Sequence, residues 1–207
     1  MTSTTAELKS NTHIVSLTGK NILVYDLEIK NPIETLSRGW DAHDEMGISV
    51  GCAFDYRDMR YRVFMDDNIL QLVERMNEPN TLIVAFNHIH FDNRLLRASG
   101  LPLKPDHELK QYDMLLESRE GAGCKGPQKG FKLDEHLKTL RLPMKTANGA
   151  MAPIMWQGKR YGELIDYCLN DVTQEKALFE HIVFEGYLAC GFKNGIRYNV
   201  RKPQVDR

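Results

Sequence analysis

No segment near the N-terminus joins a basic stretch to a long apolar run, and no apolar run approaches the roughly 20 residues needed to cross a bilayer. Secretion and membrane insertion are therefore not expected, and the reading is of a soluble, intracellular (cytoplasmic) protein. Cysteine is sparse: Cys52, Cys124, Cys168 and Cys190 are far apart, with no CxxC spacing. That argues against a zinc site or a disulfide framework and leaves four free thiols. There is no internal repeat and no low-complexity tract beyond one small Gly/Lys stretch. At 207 residues, 42% hydrophobic and 27% charged, the chain is long enough for one good core and short for two.

The chain also has almost no net charge, a formal -1, but the charge is unevenly spread. Between Arg119 and Arg160 nine Lys and Arg face three Asp and Glu, which leaves 18 basic against 25 acidic residues elsewhere. Such a division suits a protein that holds cations in one place and phosphates beside it, although a solvated charged face gives the same count.

Residues 1–20 are polar and aperiodic and read as a flexible leader. NILVYDL (21–27) is a short apolar run typical of a buried strand. The runs 47–54 and 60–65 flank Asp55, Tyr56, Arg57 and Asp58, which reads as a hairpin turn. Asp66 or Asp67 is placed to cap a helix carrying Ile69, Leu72, Val73 and Met76 at helical spacing. TLIVAF (81–86) is another buried strand, followed by a helix from Asp92 that stops at Gly100. Residues 119–130 read as a mobile basic loop, 131–142 as a helix and 143–160 as irregular. Tyr161 to about Tyr187 is the last strong helix. This order defines an α/β class of protein with one domain over 21–190 and a basic C-terminal tail over 191–207.

Three clusters of residues carry chemistry. In VYDLEIK, Asp26 and Glu28 alternate along a strand, so their carboxylates share one face while Leu27 points away. Two close anions need compensation, and a divalent cation is the common partner for hard oxygen ligands. In AFNHIHFDNRLL, Asp92 opens a helix, where an ordinary cap is the alternative role. In YGELIDYCLNDVTQE, Tyr167 and Asp171 lie four residues apart on one helical face. Each cluster alone has an ordinary structural explanation.

Together and in this order, Y-D-L-E, N-H-I-H-F-D and Y-C-L-N-D resemble the three motifs of the DEDD exonuclease superfamily, in its tyrosine branch. They are most similar to the proofreading domain of family B DNA polymerases, whose second motif also has Asn, three residues, then Phe-Asp. Weaker likeness at QYDMLLESR and FKLDEHLKTLRL extends the resemblance over residues 20–185. It implies a ribonuclease H-like fold, a central mixed β-sheet with an antiparallel hairpin flanked by helices. It also implies that Asp26, Glu28, Asp92 and Asp171 bind two Mg2+ or Mn2+ ions and that Tyr167 orients or helps to deprotonate the attacking water. The activity implied is 3′-to-5′ hydrolysis of single-stranded nucleic acid, with DNA favoured.

Phosphodiester hydrolysis needs a nucleophile made from water and neutralisation of charge on the attacking and leaving oxygens, which two metals about 3.5 to 4 Å apart supply. With an ordinary pKa near about 10, Tyr167 is a poor base at neutral pH and is read as an orienting group. The frayed end would rest on Leu27 and Phe91, with Asn87 toward the terminal nucleotide. Lys125, Lys129, Lys132, Lys145, Lys159 and Arg160 would face phosphates. His88 and His90 read as solvated or hydrogen-bonded side chains rather than zinc ligands or bases. The chain runs 36 residues past Asp171, so the expectation is a nuclease acting in trans or alone, with a polymerase or other replication or repair factor as a possible partner. An exoribonuclease, an oligonucleotide-degrading enzyme and a catalytically silent binding module of the same fold are the alternatives.

Overall fold

The computed structural model describes residues 17–126, 128–144 and 151–205. Most of the expected leader and Lys145 lie outside the described residues, whereas Leu17 is already part of the core.

Strand β1 (Ile22–Ile29) is central. It is followed by a short helix α1 (His43–Met46), then β2 (Ile48–Asp55) and β3 (Arg60–Phe64), which form the expected hairpin. Helix α2 (Ile69–Asn77) leads to β4 (Leu82–Ala85) and α3 (Asp92–Ala98), and β5 (Lys110–Asp113) runs directly into α4 (Met114–Gly121). Helices α5 (Leu133–Leu140), α6 (Ala152–Gln157) and α7 (Tyr161–Glu185) complete the main body. The sheet order is β3-β2-β1-β4-β5, antiparallel on the β2 and β3 side and parallel on the β4 and β5 side. This is the mixed sheet with an antiparallel hairpin expected from the motifs.

The sheet is covered on both faces, which is why its inner strands are apolar throughout rather than alternating. Ile22 and Val24 face the layer containing Leu178, Phe179 and Ile182 of α7. Leu23, Tyr25, Leu27 and Ile29 face Leu72 and Val73 of α2 and Leu95 and Leu96 of α3. By strand alternation Asp26 and Glu28 continue the Ile22 and Val24 face. An apolar face thus turns acidic where β1 runs past the end of β4, whose pairing with β1 stops at Val24 and Val84.

Several elements differ from expectation. Neither Asp66 nor Asp67 caps α2; the residue before the helix is Asn68, and Asp66 pairs with Lys30 at 2.8 Å. The segment expected to be irregular contains α6, six residues long with Ala152, Pro153 and Met155 buried. It is too short to show a period, and its proline sits in the first turn, where no N–H donor is needed. Helix α4 was not anticipated; Asp113 caps it, accepting the N–H groups of Leu115 and Leu116. Beyond α7, Tyr187–Leu188 (β6) pairs antiparallel with Tyr198–Asn199 (β7), and Arg201 forms an ion pair with Glu117 of α4.

Candidate active site

The site is built at the end of the sheet where β1 outruns β4. One carboxylate oxygen from each of Asp26, Glu28 and Asp171 lies within 4.8 Å of the other two. Strand alternation brings the first two together, and α7, packed across this face, delivers the third. Cys168 on the same helix sits against the β1 backbone, its thiol 3.5 Å from the Asp26 carbonyl oxygen.

Asp92 approaches from the other side. It is the first residue of α3 rather than its cap, and only 4% exposed. Its carboxylate accepts the backbone N–H of Leu27, a group that the shorter β4 does not reach. Its Oδ1 has no hydrogen-bond partner.

The electrostatics are those of a site short of positive charge. Burial, then Glu28, Glu175, Asp171 and Asp92, hold the Asp26 carboxyl well above the usual carboxylate range. Burial above all, and then Asp113, push Asp92 up to about 7 against the pull of the N–H groups of Asp92 itself and Leu27. Carboxylates crowded in this way, one with a buried unpartnered oxygen, match the donor set of a hard divalent cation. The acidic cluster is therefore able to bind metal.

Tyr167 lies one helical turn before Asp171, 5% exposed and hydrogen-bonded to it. Burial, Asp171, Glu28 and Asp26 all raise its pKa, so the hydroxyl keeps its proton across the neutral range.

One cavity borders the carboxylates and a second lies at the loop after β4. A slot of about 300 Å³ is lined by Leu27, Glu28, Trp40, Phe91, Pro153 and Ile154, among others. A wider groove of about 790 Å³ is lined by Phe86, Asn87, Arg119, Lys129, Phe131 and Lys132. The candidate substrate residues thus divide: Leu27 and Phe91 line the slot, Asn87, Lys129 and Lys132 the groove. Lys125, Lys159 and Arg160 line neither, and Arg160 is paired with Glu163 at 3.2 Å.

Three residues near the site escaped the sequence reading. Asp113 accepts the N–H groups of Asn87 and Ile89 at 3.0 and 3.1 Å besides capping α4, and so clamps the loop that leads to Asp92. Glu175, one turn beyond Asp171, accepts the N–H of Phe86. Trp40 stands beside Phe91. An Asp before an apolar helical run was a legible cap signal for Asp113; nothing local marks the other two. His88 is fully buried rather than solvated, its Nδ1 3.4 Å from the Ala85 carbonyl oxygen, whereas His90 is exposed. Burial lowers the His88 pKa, which fits a neutral structural ring.

No protein-family model matches the sequence, and no curated protein matches it. Solved structures do. The family B DNA polymerase of the archaeon Pyrobaculum calidifontis superposes with a TM-score of 0.57 at 20% identity, covering 78% of this chain and 24% of the polymerase. RNase D of Trypanosoma brucei superposes with a TM-score of 0.52 at 12% identity, covering 84% of this chain and 60% of that one. This chain therefore spans about a quarter of the first protein and three fifths of the second. The protein has the ribonuclease H-like fold. Among the described residues, no helix is long and apolar enough to cross a membrane.

Proposed function

We propose that the protein is a metal-dependent 3′-to-5′ exonuclease acting on single-stranded nucleic acid ends, with DNA favoured. The observation that carries this reading is the convergence of Asp26, Glu28 and Asp171 within 4.8 Å, with Asp92 buried beside them. Two divalent cations, Mg2+ or Mn2+, held by these four residues would supply the activated water and neutralise charge on the attacking and leaving oxygens.

The chain's own groups do the rest. Tyr167 keeps its proton and so serves as a hydrogen-bond donor that orients, not as the base that deprotonates. The groove with Arg119, Lys129 and Lys132 offers cationic side chains to the phosphates of the strand, which a sequence-independent enzyme needs. Leu27 and Phe91 offer apolar surface in the slot beside Glu28. His88 is buried among Asp113, Ala85 and Tyr25, away from any role as a base.

The test is digestion of DNA and RNA oligonucleotides labelled at the 5′ or the 3′ end, with Mg2+, Mn2+ or EDTA. A 5′-label ladder shortening from the 3′ end, abolished by EDTA, is expected, faster on DNA. Absence of metal-dependent shortening of every substrate by folded protein would leave the fold as a binding module.

A further inference from the structure

The slot beside Glu28 is built around a side chain that none of the three motifs contains. Trp40 is presented by a single turn of 3-10 helix (Gly39–Asp41) in the connection between β1 and α1, and is 64% exposed, a large apolar ring left in solvent. It meets Phe91 edge-on, with ring centroids 5.8 Å apart. Across the slot stand Pro153 and Ile154 of α6, and Ile154 is itself 50% exposed. Two exposed apolar side chains facing one cavity mark a surface that is covered in use.

The chemistry of the lining selects the occupant. Its charged members are Glu28 and Glu34, both anionic, so the slot repels a phosphate and favours a neutral, flat, apolar group. Glu28 is also one of the three clustered carboxylates, so whatever fills the slot lies next to a phosphate held at the cluster. A cavity of about 300 Å³ is at the small end of ligand sites, where a single ring system fits. We propose that Trp40 is the stacking platform for the base of the 3′-terminal nucleotide, and that the slot it forms with Phe91 and Ile154 admits one unpaired base. The inference rests on the nuclease reading above and adds to it the element that would distinguish a frayed end from a paired one. Because the walls are apolar, the contact is indifferent to which base is bound.

Trp156 is the only other tryptophan, so a Trp156→Phe protein reports the emission of Trp40 alone. Titrated in Ca2+ with a dT oligonucleotide bearing a free 3′ end, or with thymidine monophosphate, that emission should change saturably. A blunt duplex should produce a much weaker change. In the otherwise unaltered chain, Trp40→Ala should raise KM on single-stranded substrate by about 5- to 150-fold, the range expected for one stacked base. Trp40→Phe should restore most of the loss, and both should melt as the parent does because the ring is largely exposed. Unchanged KM in Trp40→Ala, or an unresponsive Trp40 while fluorescence anisotropy reports the oligonucleotide bound, would overturn the proposal and leave the nuclease reading standing. If the parent protein cleaves nothing, that reading falls, and the monophosphate titration still decides whether the slot takes a base.

Discussion

Glu175 Oε1 accepts the backbone N–H of Phe86 at 3.1 Å, tying the helix that carries Tyr167 and Asp171 to the end of the strand that leads to Asp92. The carboxylate is 3% exposed and its other oxygen has no partner. Burial and then Asp92 raise its pKa, so holding this carboxylate here carries an electrostatic cost. Glu175→Ala should destabilise the protein by about 1 to 3 kcal/mol through the lost bond and the unsatisfied N–H. It should also lower the rate by loosening the two halves of the site. Glu175→Gln keeps an acceptor for Phe86 and should melt at or above the parent temperature without metal. Thermal melts and single-turnover rates of the two variants separate the hydrogen bond from the charge.

Asp26 and Asp171 are each held beside other carboxylates, so neutralising one relieves repulsion. Asp26→Asn and Asp171→Asn should each lose at least about 100-fold in cleavage, as expected when a metal clamp is dismantled. The same proteins should melt slightly above the parent in EDTA. Added Mg2+ or Mn2+ should raise the melting temperature of the parent, since a cation that binds only the folded state stabilises it, and should do so much less for the variants. A variant that is cut down in neither activity nor metal response would remove its residue from the site.

Most of the candidate site's geometry was legible because its key contacts are local. Alternation along β1 placed Asp26 and Glu28 on one face, and a separation of four placed Tyr167 above Asp171. Asp92 was legible as the start of a helix, although its acceptance of the Leu27 N–H depends on β4 being shorter than β1, a matter of register. Glu175 and Trp40 were not legible. Phe86 and Glu175 are 89 residues apart, and Trp40 sits in a connection with no period of its own. Helix α6 was hidden for a related reason: six residues held by the burial of Ala152, Pro153 and Met155 carry no repeat to detect.

Asp55 and Arg75 form a buried pair outside the carboxylate cluster, with Arg75 Nε 2.7 Å from Asp55 Oδ2 and Nη2 3.0 Å from Oδ1. Their side chains are 0% and 6% exposed. Burial raises the Asp55 carboxyl, but the hydrogen bonds and charges of Arg75 and Arg57 outweigh it and hold the pKa below its ordinary value. A depressed acid contributes stability in full above its unfolded pKa, near about 3.9, and loses it as the pH falls through the folded value. Acid melts should show a loss below about pH 4 that is absent in Asp55→Asn. At neutral pH that variant should be less stable by about 1 to 3 kcal/mol, because Arg75 loses its buried carboxylate partner and keeps only the more exposed carboxylate of Glu78 at 3.2 Å.

Gly51 lies opposite Leu27 in the β1 and β2 ladder. A Cβ there would stand 2.8 Å from Leu27 Cδ2 and 3.2 Å from Ile69 Cδ1, inside contact distance of both. Ile69 opens α2, but Leu27 is the residue between Asp26 and Glu28 and also lines the slot beside Trp40. Gly51→Ala must therefore displace the Leu27 side chain, which stands between two of the clustered carboxylates on β1. Overpacking of this kind costs about 1 to 3 kcal/mol, and its strain falls where catalysis is most sensitive to position, since an error of about 1 Å can cost 10²-fold in rate. The expected result is a protein that still folds, melts lower and cleaves more slowly, with a larger share of the defect in kcat than in metal affinity. Leu27→Ala makes room for the new methyl group, and because Leu27 itself lines the slot the comparison is made within that background: Gly51→Ala should cost less in rate when added to Leu27→Ala than when added to the parent. If it costs the same fold in rate in both backgrounds, Gly51 serves packing alone and the coupling from β2 to the carboxylates is refuted.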